Sequence, residues 1–153
     1  MGGGIFLPGP PMSAIATALP ERCVSFVLNG EPYGVDVLRV REVLQLPPLT
    51  TVPGAGVLCV GVLNLRGRIV TVLDLYRLLA LPGQADQDAQ HLLVVEKDKR
   101  LLGLLVDSVG EVLRLGSEAR EEAGEGQGVM TMVHHQDRFI AVLDLDRVLE
   151  GAE

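Results

Sequence analysis

Three histidines, two cysteines, four serines and a scatter of carboxylates are the side chains here with the chemistry to hold a metal, attack as a nucleophile or move a proton. His91 opens an apolar run, and His134 and His135 are neighbours. If that pair lies in a strand, the two imidazoles point to opposite faces and cannot share one ion. Ser13, Ser25, Ser108 and Ser117 lie outside any G-x-S-x-G elbow. Gly124, Gly126 and Gly128 lack the Lys-Ser/Thr and following helix of a phosphate loop, and Gly103 with Gly110 makes no dinucleotide fingerprint. Asp74 and Asp144 each precede a short segment of helical apolar spacing, where capping alone asks for such a residue. The expectation is a chain that is not an enzyme, with no catalytic residue, no metal site and no cofactor.

Two charged residues are less easily dismissed. Arg66 sits in a tight turn beside Arg68 although the chain is acidic, and Glu42 interrupts an apolar run. Arg66 is either a solvated hairpin tip or a partner contact. Glu42 is repeated by Glu111, so protection of a strand edge competes with a functional role.

The elements that must position these residues are mostly strands. From Arg22 onward Val, Leu and Ile come in short runs broken by turn residues. Runs at Val24 to Leu28 and Tyr33 to Val37 flank Asn29-Gly30, a strong hairpin signal. Val40 to Leu46 ends at Pro47-Pro48, and Val57 to Leu65 meets Arg68 to Leu73 at Arg66-Gly67, with glycine suited to the left-handed position. Asp74 then caps a short helix that Pro82-Gly83 is expected to stop. Gln84 to Gln90 reads as a linker, and Met1 to Pro20, rich in Gly, Pro and Ala, as a flexible leader without the basic start of a secretory signal.

The pattern then recurs. Glu42-Val-Leu-Gln-Leu46 returns 69 positions later as Glu111-Val-Leu-Arg-Leu115, and Ile69 to Leu75 returns 70 later as Phe139 to Leu145. Each half is thus five short strands and a cap helix, a size that fits a small barrel better than a sandwich. In the second half Ser117 to Gly128 reads as an acidic, glycine-rich loop.

Composition excludes several functions. The 153 residues carry a formal charge of -7 with 3% aromatic residues and no Trp, which gives nucleic acid neither phosphate neutralisation nor stacking platforms. No apolar stretch is long enough for a membrane span, so direct membrane insertion is not expected. Cys23 and Cys59 sit in strand-like runs and read as reduced thiols.

Asn64-Leu65-Arg66-Gly67 followed by Ile69 to Leu75, preceded by Tyr33-Gly-Val-Asp-Val and Val40-Arg-Glu-Val43, and then Val106-Asp-Ser-Val-Gly-Glu-Val112, resembles the CheW family of chemotaxis coupling proteins. The resemblance covers about Cys23 to Glu150. It implies an all-β fold with short helices, built of two intertwined five-stranded SH3-like barrels. A CheW-like domain would span residues 21–153, with a first barrel about 22–83, a second about 90–150, and an exchange of terminal strands left open. It also implies a cytoplasmic, non-catalytic adaptor between the chemoreceptor cytoplasmic tip and the regulatory domain of a chemotaxis histidine kinase. Carried across by motif, Glu42 and Arg66 would be a charged pair facing the receptor or kinase, with Val40, Asn64, Leu65 and Gly67 beside them. Two other readings compete: a generic SH3-like peptide- or ligand-binding module, against which scarce aromatics count, and an adaptor in a chemosensory-like system that does not control flagella.

Overall fold

The structure, a computed structural model, describes residues 19–82, 91–115, 120–122 and 130–150. In chain order its elements are β1 (Arg22–Leu28), β2 (Glu31–Asp36), a 3-10 turn (Val37–Arg39), β3 (Val40–Gln45), β4 (Cys59–Leu65), β5 (Arg68–Leu73) and α1 (Leu75–Leu78). The second half supplies β6 (His91–Lys97), β7 (Arg100–Val106), β8 (Ser108–Arg114), β9 (Arg120–Glu122), β10 (Met130–His135), β11 (Arg138–Leu143) and α2 (Leu145–Glu150). The leader, apart from Leu19 and Pro20, and the Gln84 to Gln90 linker lie outside the described residues.

Four hairpin turns are alike: β1–β2 at Asn29-Gly30, β4–β5 at Arg66-Gly67, β6–β7 at Asp98-Lys99 and β10–β11 at Gln136-Asp137. All eight central residues have positive φ, between 50° and 87°. Two left-handed residues give a turn whose twist matches that of the flanking strands. The strained Arg66 backbone (φ 52°) is thus a demand of the turn, shared with Asp98 and Gln136, and is no sign of function by itself.

A unit of sequence is not a unit of sheet. One sheet runs β3-β6-β7-β5-β4 and the other β9-β10-β11-β2-β1-β8, so each half sends its first hairpin into the other half's sheet. The join is a parallel pairing in both: β5 with β7 (Thr71 opposite Leu102, Val72 opposite Gly103) and β11 with β2 (Ala141 opposite Tyr33, Val142 opposite Gly34). The internal repeat maps one join onto the other residue for residue. Even the bulges match, with one extra residue between Val40 and Glu42 of β3 and between Val109 and Val112 of β8.

The exchanged β6–β7 hairpin is the centre of the molecule. Leu92 to Val95 have no exposure and Leu101 to Val106 are all buried. Both faces of these strands are covered, which is why they read as unbroken Leu and Val rather than as an alternating pattern. A single cluster joins them to Val24, Phe26 and Leu28 of β1, Val70 and Val72 of β5, and Leu145, Val148 and Leu149 of α2, so the two sheets share one core. Tyr76 of α1 is also in this core, and its hydroxyl donates to Asp107 between β7 and β8 (2.6 Å).

The strands form a five-stranded sheet and one of six, the sixth being the short β9 at its edge, in keeping with the expected all-β pair of pseudo-repeated, intertwined units. Two expectations need correction. The Ser117 to Gly128 loop contains strand β9, which pairs antiparallel with Met132 to His134 of β10. Finally, α1 ends well before Pro82-Gly83: the chain leaves the helix at Leu79 and turns left-handed at Ala80 (φ 57°). The start of α1 is as expected, with Asp74 Oδ1 accepting from the backbone N–H of Tyr76 and Arg77. No helix among the described residues is long and apolar enough to cross a membrane.

Candidate partner-binding site

Glu42 and Arg66 stand on opposite edges of the five-stranded sheet, Glu42 in β3 and Arg66 at the tip that follows β4. In a flat sheet of that size the edges would be about 19 Å apart at ~4.8 Å per strand. Instead Arg66 Nη1 donates to Glu42 Oε1 and Nη2 to Glu42 Oε2, each at 2.7 Å. The sheet is therefore curled until its edges meet, and the fork-to-fork ion pair joins them where ladder hydrogen bonds do not. A second stitch lies alongside, where Thr50, just beyond β3, exchanges two 2.9 Å backbone hydrogen bonds with Val62 of β4.

Asn64 fixes the approach of Arg66. It is exposed, and its Oδ1 accepts from the Gly67 N–H at 2.8 Å, which holds the turn in shape from outside. Gly67, at φ 87°, has nothing within 4 Å of a Cβ position, so conformation rather than space requires glycine there. Leu65 and Val40 are half-buried and pack on the core, anchoring the tip and the start of β3. Thus five of the six residues carried across by motif converge on one seam, and Val40 lies two residues from Glu42 on the same strand. Arg66 remains 70% exposed and Glu42 26%. The hydrogen bonds from Arg66, with its charge adding to them against some desolvation, lower the Glu42 carboxyl from its usual range, and Glu42 raises the Arg66 guanidinium in return. Both groups are charged at any physiological pH. The site is a fixed, partly open ion pair.

Sequence reasoning missed exposed apolar positions around this seam. Ile69 lies opposite Asn64 and Val43 follows Glu42, and both are exposed. Their counterparts in the second half, Phe139 and Val112, are exposed as well. Retention of an outward apolar residue at the same two places in both copies was available in the aligned repeats, as a departure from apolar-in, polar-out alternation. The remaining chemistry-bearing residues do not converge. His134 faces out against Phe139, with ring centres 5.0 Å apart, while His135 is buried. Among the described residues no three His, Cys, Asp or Glu are grouped as metal ligands, and both cysteines are free.

Two pseudo-repeated sheets that exchange hairpins, the first with a seam ion pair beside outward apolar residues, define a strand-exchanged fold of the SH3-like kind. Residues 22–153 match the family model described as the CheW-like domain. The chain belongs to that family, whose members are chemotaxis scaffold proteins. It is 30% identical over 145 residues to the chemotaxis protein CheW of Thermotoga maritima, covering 91% of this chain and 95% of that one. It is 27% identical over 136 residues to CheW of Bacillus subtilis, covering 85% and 87%. Among solved structures it is similar to the scaffolding protein TtCheW from Thermoanaerobacter tengcongensis, with a TM-score of 0.71 at 26% identity over 82% of this chain and 89% of that one.

Proposed function

We propose that this protein is a non-catalytic, cytoplasmic adaptor that couples a chemoreceptor's cytoplasmic tip to the regulatory domain of a CheA-type histidine kinase. The observation that carries the reading is the Glu42–Arg66 seam in a chain of the CheW-like family: an ion pair held by the fold yet open to a partner. A helical receptor tip lays apolar side chains beside it, against Ile69 and Val43, while the charges set register and partner choice. Val40 and Leu65 support the surface from beneath, and Asn64 with Gly67 fixes the turn that presents Arg66. The kinase domain takes the outward apolar positions of the other sheet, Val112 and Phe139.

The test is co-sedimentation with receptor-bearing membranes and kinase, together with kinase autophosphorylation. The wild type should enter the complex and place the kinase under receptor control. Arg66→Glu should lose receptor binding and control with its fold intact. If a folded Arg66→Glu protein binds and couples normally, Arg66 is removed from the site; if the wild type binds neither partner, the adaptor reading fails.

A further inference from the structure

The ion pair that joins the edges of the first sheet has no counterpart among the described residues of the second, although β9 keeps a backbone pairing with β10 there. Aligning the halves puts Ser108 where Arg39 stands, Gly110 where Arg41 stands and Gln136 where Arg66 stands. Those three arginines hold Asp146 at 3.0 Å, Glu96 at 2.8 Å and Glu42 at 2.7 Å. With all three gone, a cavity of about 340 Å³ lies between β8 and the β10–β11 hairpin. Glu111, the counterpart of Glu42, lines it and carries no guanidinium among the described residues.

The cleft is built rather than merely vacant. Ser25 Oγ donates to the Glu111 carbonyl at 2.7 Å, which fixes the backbone on which Glu111 is mounted. A Cβ on Gly110 would come within 2.7 Å of that hydroxyl, so the side chain that fills this place in the first sheet is kept out. Phe26 and Leu113 supply apolar wall. Arg138 also lines the cleft, but its counterpart Arg68 donates to the Lys99 carbonyl while Arg66 sits on Glu42. An arginine at that position is therefore compatible with a second guanidinium on the carboxylate.

We propose that this cleft receives an arginine side chain presented on a turn of a partner protein, with its guanidinium seated on Glu111 as that of Arg66 is seated on Glu42. The fork geometry selects arginine over lysine, the net charge of -7 favours a cation, and the apolar walls take the residues that flank it. The first sheet fills its own site in cis, so each chain offers one such cleft. The inference goes beyond receptor–kinase coupling and is tested on the isolated chain, so its outcome is separate from that of the co-sedimentation assay.

The probe is a cyclic hairpin peptide with the tip Leu-Arg-Gly-Arg, titrated into isotope-labelled full-length protein and followed by the amide shifts of Gly110, Glu111 and Gln136. Saturable one-to-one binding is expected. A peptide with lysine as the first basic residue should bind at least tenfold more weakly, and so should the wild-type peptide to Glu111→Gln. Gln136→Arg, which supplies the arginine in cis, should abolish binding and leave the melting temperature unchanged or raised. Glu111 and Gln136 are both exposed, so folded variants are expected, and melting curves verify it. No binding to the wild type, or undiminished binding to either variant, overturns the proposal. Equally tight binding of N-acetyl-arginine amide overturns the partner-borne source and makes the cleft a site for small guanidinium compounds.

Discussion

The Tyr76 hydroxyl donates a 2.6 Å hydrogen bond to Asp107 Oδ1 while the Asn29 backbone N–H donates to Asp107 Oδ2 at 3.0 Å. One carboxylate thus ties α1, which follows the five-stranded sheet, to the β1–β2 turn of the other sheet. The repeat uses the same place differently: Asp146, the counterpart of Tyr76, pairs with Arg39 on the surface. Removing the hydroxyl with Tyr76→Phe keeps the ring in the core and leaves Oδ1 without its donor. The expected loss is about 1.5–3 kcal/mol, in the range for hydrogen bonds to charged groups. Urea unfolding measures it, and Asp107→Ala in the Tyr76→Phe background should add less than it costs alone.

Gly34 and Gly103 sit at the two parallel joins, 69 residues apart, where the exchanged hairpins meet their host sheets. A Cβ at Gly34 would lie 2.8 Å from Cys23 Sγ, and one at Gly103 would lie 2.9 Å from Leu92 Cδ1; Cys23 and Leu92 are themselves counterparts. Gly34→Ala should destabilise by about 1–3 kcal/mol, the usual cost of overpacking. Cys23→Ala in the same chain should recover part of that loss because it removes the sulfur in the way. Equal destabilisation with and without the sulfur would locate the strain elsewhere.

The Glu42–Arg66 pair predicts a dependence on pH with a definite sign. Because its carboxyl is lowered in the folded state, Glu42 contributes stability that is fully present above its unfolded value near 4.5 and is lost as pH falls through the lower folded value. The wild type should therefore lose stability more steeply below pH 4.5 than Glu42→Gln does. At neutral pH the exposed pair contributes little, so Arg66→Glu should shift the melting temperature only slightly. The exchange of Glu42→Arg with Arg66→Glu should restore the lost stability without restoring receptor binding, since a partner reads the sign at each position.

The two thiols should differ in reactivity. Cys23 is wholly buried, and burial, with Asp36 nearby adding to it, pushes its thiol up to about 11. Cys59 is half-buried at the start of β4. A disulfide reagent at pH 8 should modify Cys59 in the native protein and Cys23 only on unfolding. The raised Cys23 thiol also means that stability falls between pH 9 and 11, where the unfolded chain has released a proton that the folded chain retains. Cys23→Ala should flatten that part of the alkaline limb.

Local features were the legible part of this fold. Asn29-Gly30 and Arg66-Gly67 announced their turns because few residues accept positive φ, and Asp74 announced its helix because a helix start needs an acceptor. The repeat told which residues are counterparts. It did not tell which hairpin pairs with which strand, because equivalent strands carry equivalent patterns and either pairing buries the same faces. Strand β9 was hidden because Arg120-Glu-Glu122 is charged throughout, and the early end of α1 because a left-handed alanine has no signature. In the candidate site the 24-position separation of Glu42 and Arg66 holds no information about contact; only the curl of the sheet brings them together. The cleft in the second sheet was within reach, since Arg39, Arg41 and Arg66 against Ser108, Gly110 and Gln136 is a difference visible once the halves are aligned.

A ribosome releases this chain in an order that its topology does not favour. Strands β1 to β5 emerge before any residue of β6, β7 or β8, so β1 lacks its neighbour on one side and the nascent five-stranded sheet lacks its two middle strands. At about 5–20 residues per second, the stretch from Pro82 to Arg114 takes roughly 2–6 s to add. For that interval apolar strand edges stand bare, the condition in which chains pair with the wrong neighbour. The missing hairpin has a close likeness in the β1–β2 hairpin of another molecule. A first half released prematurely by truncation should therefore assemble with a second copy of itself, reproducing between two chains the pairings that the intact protein makes within one.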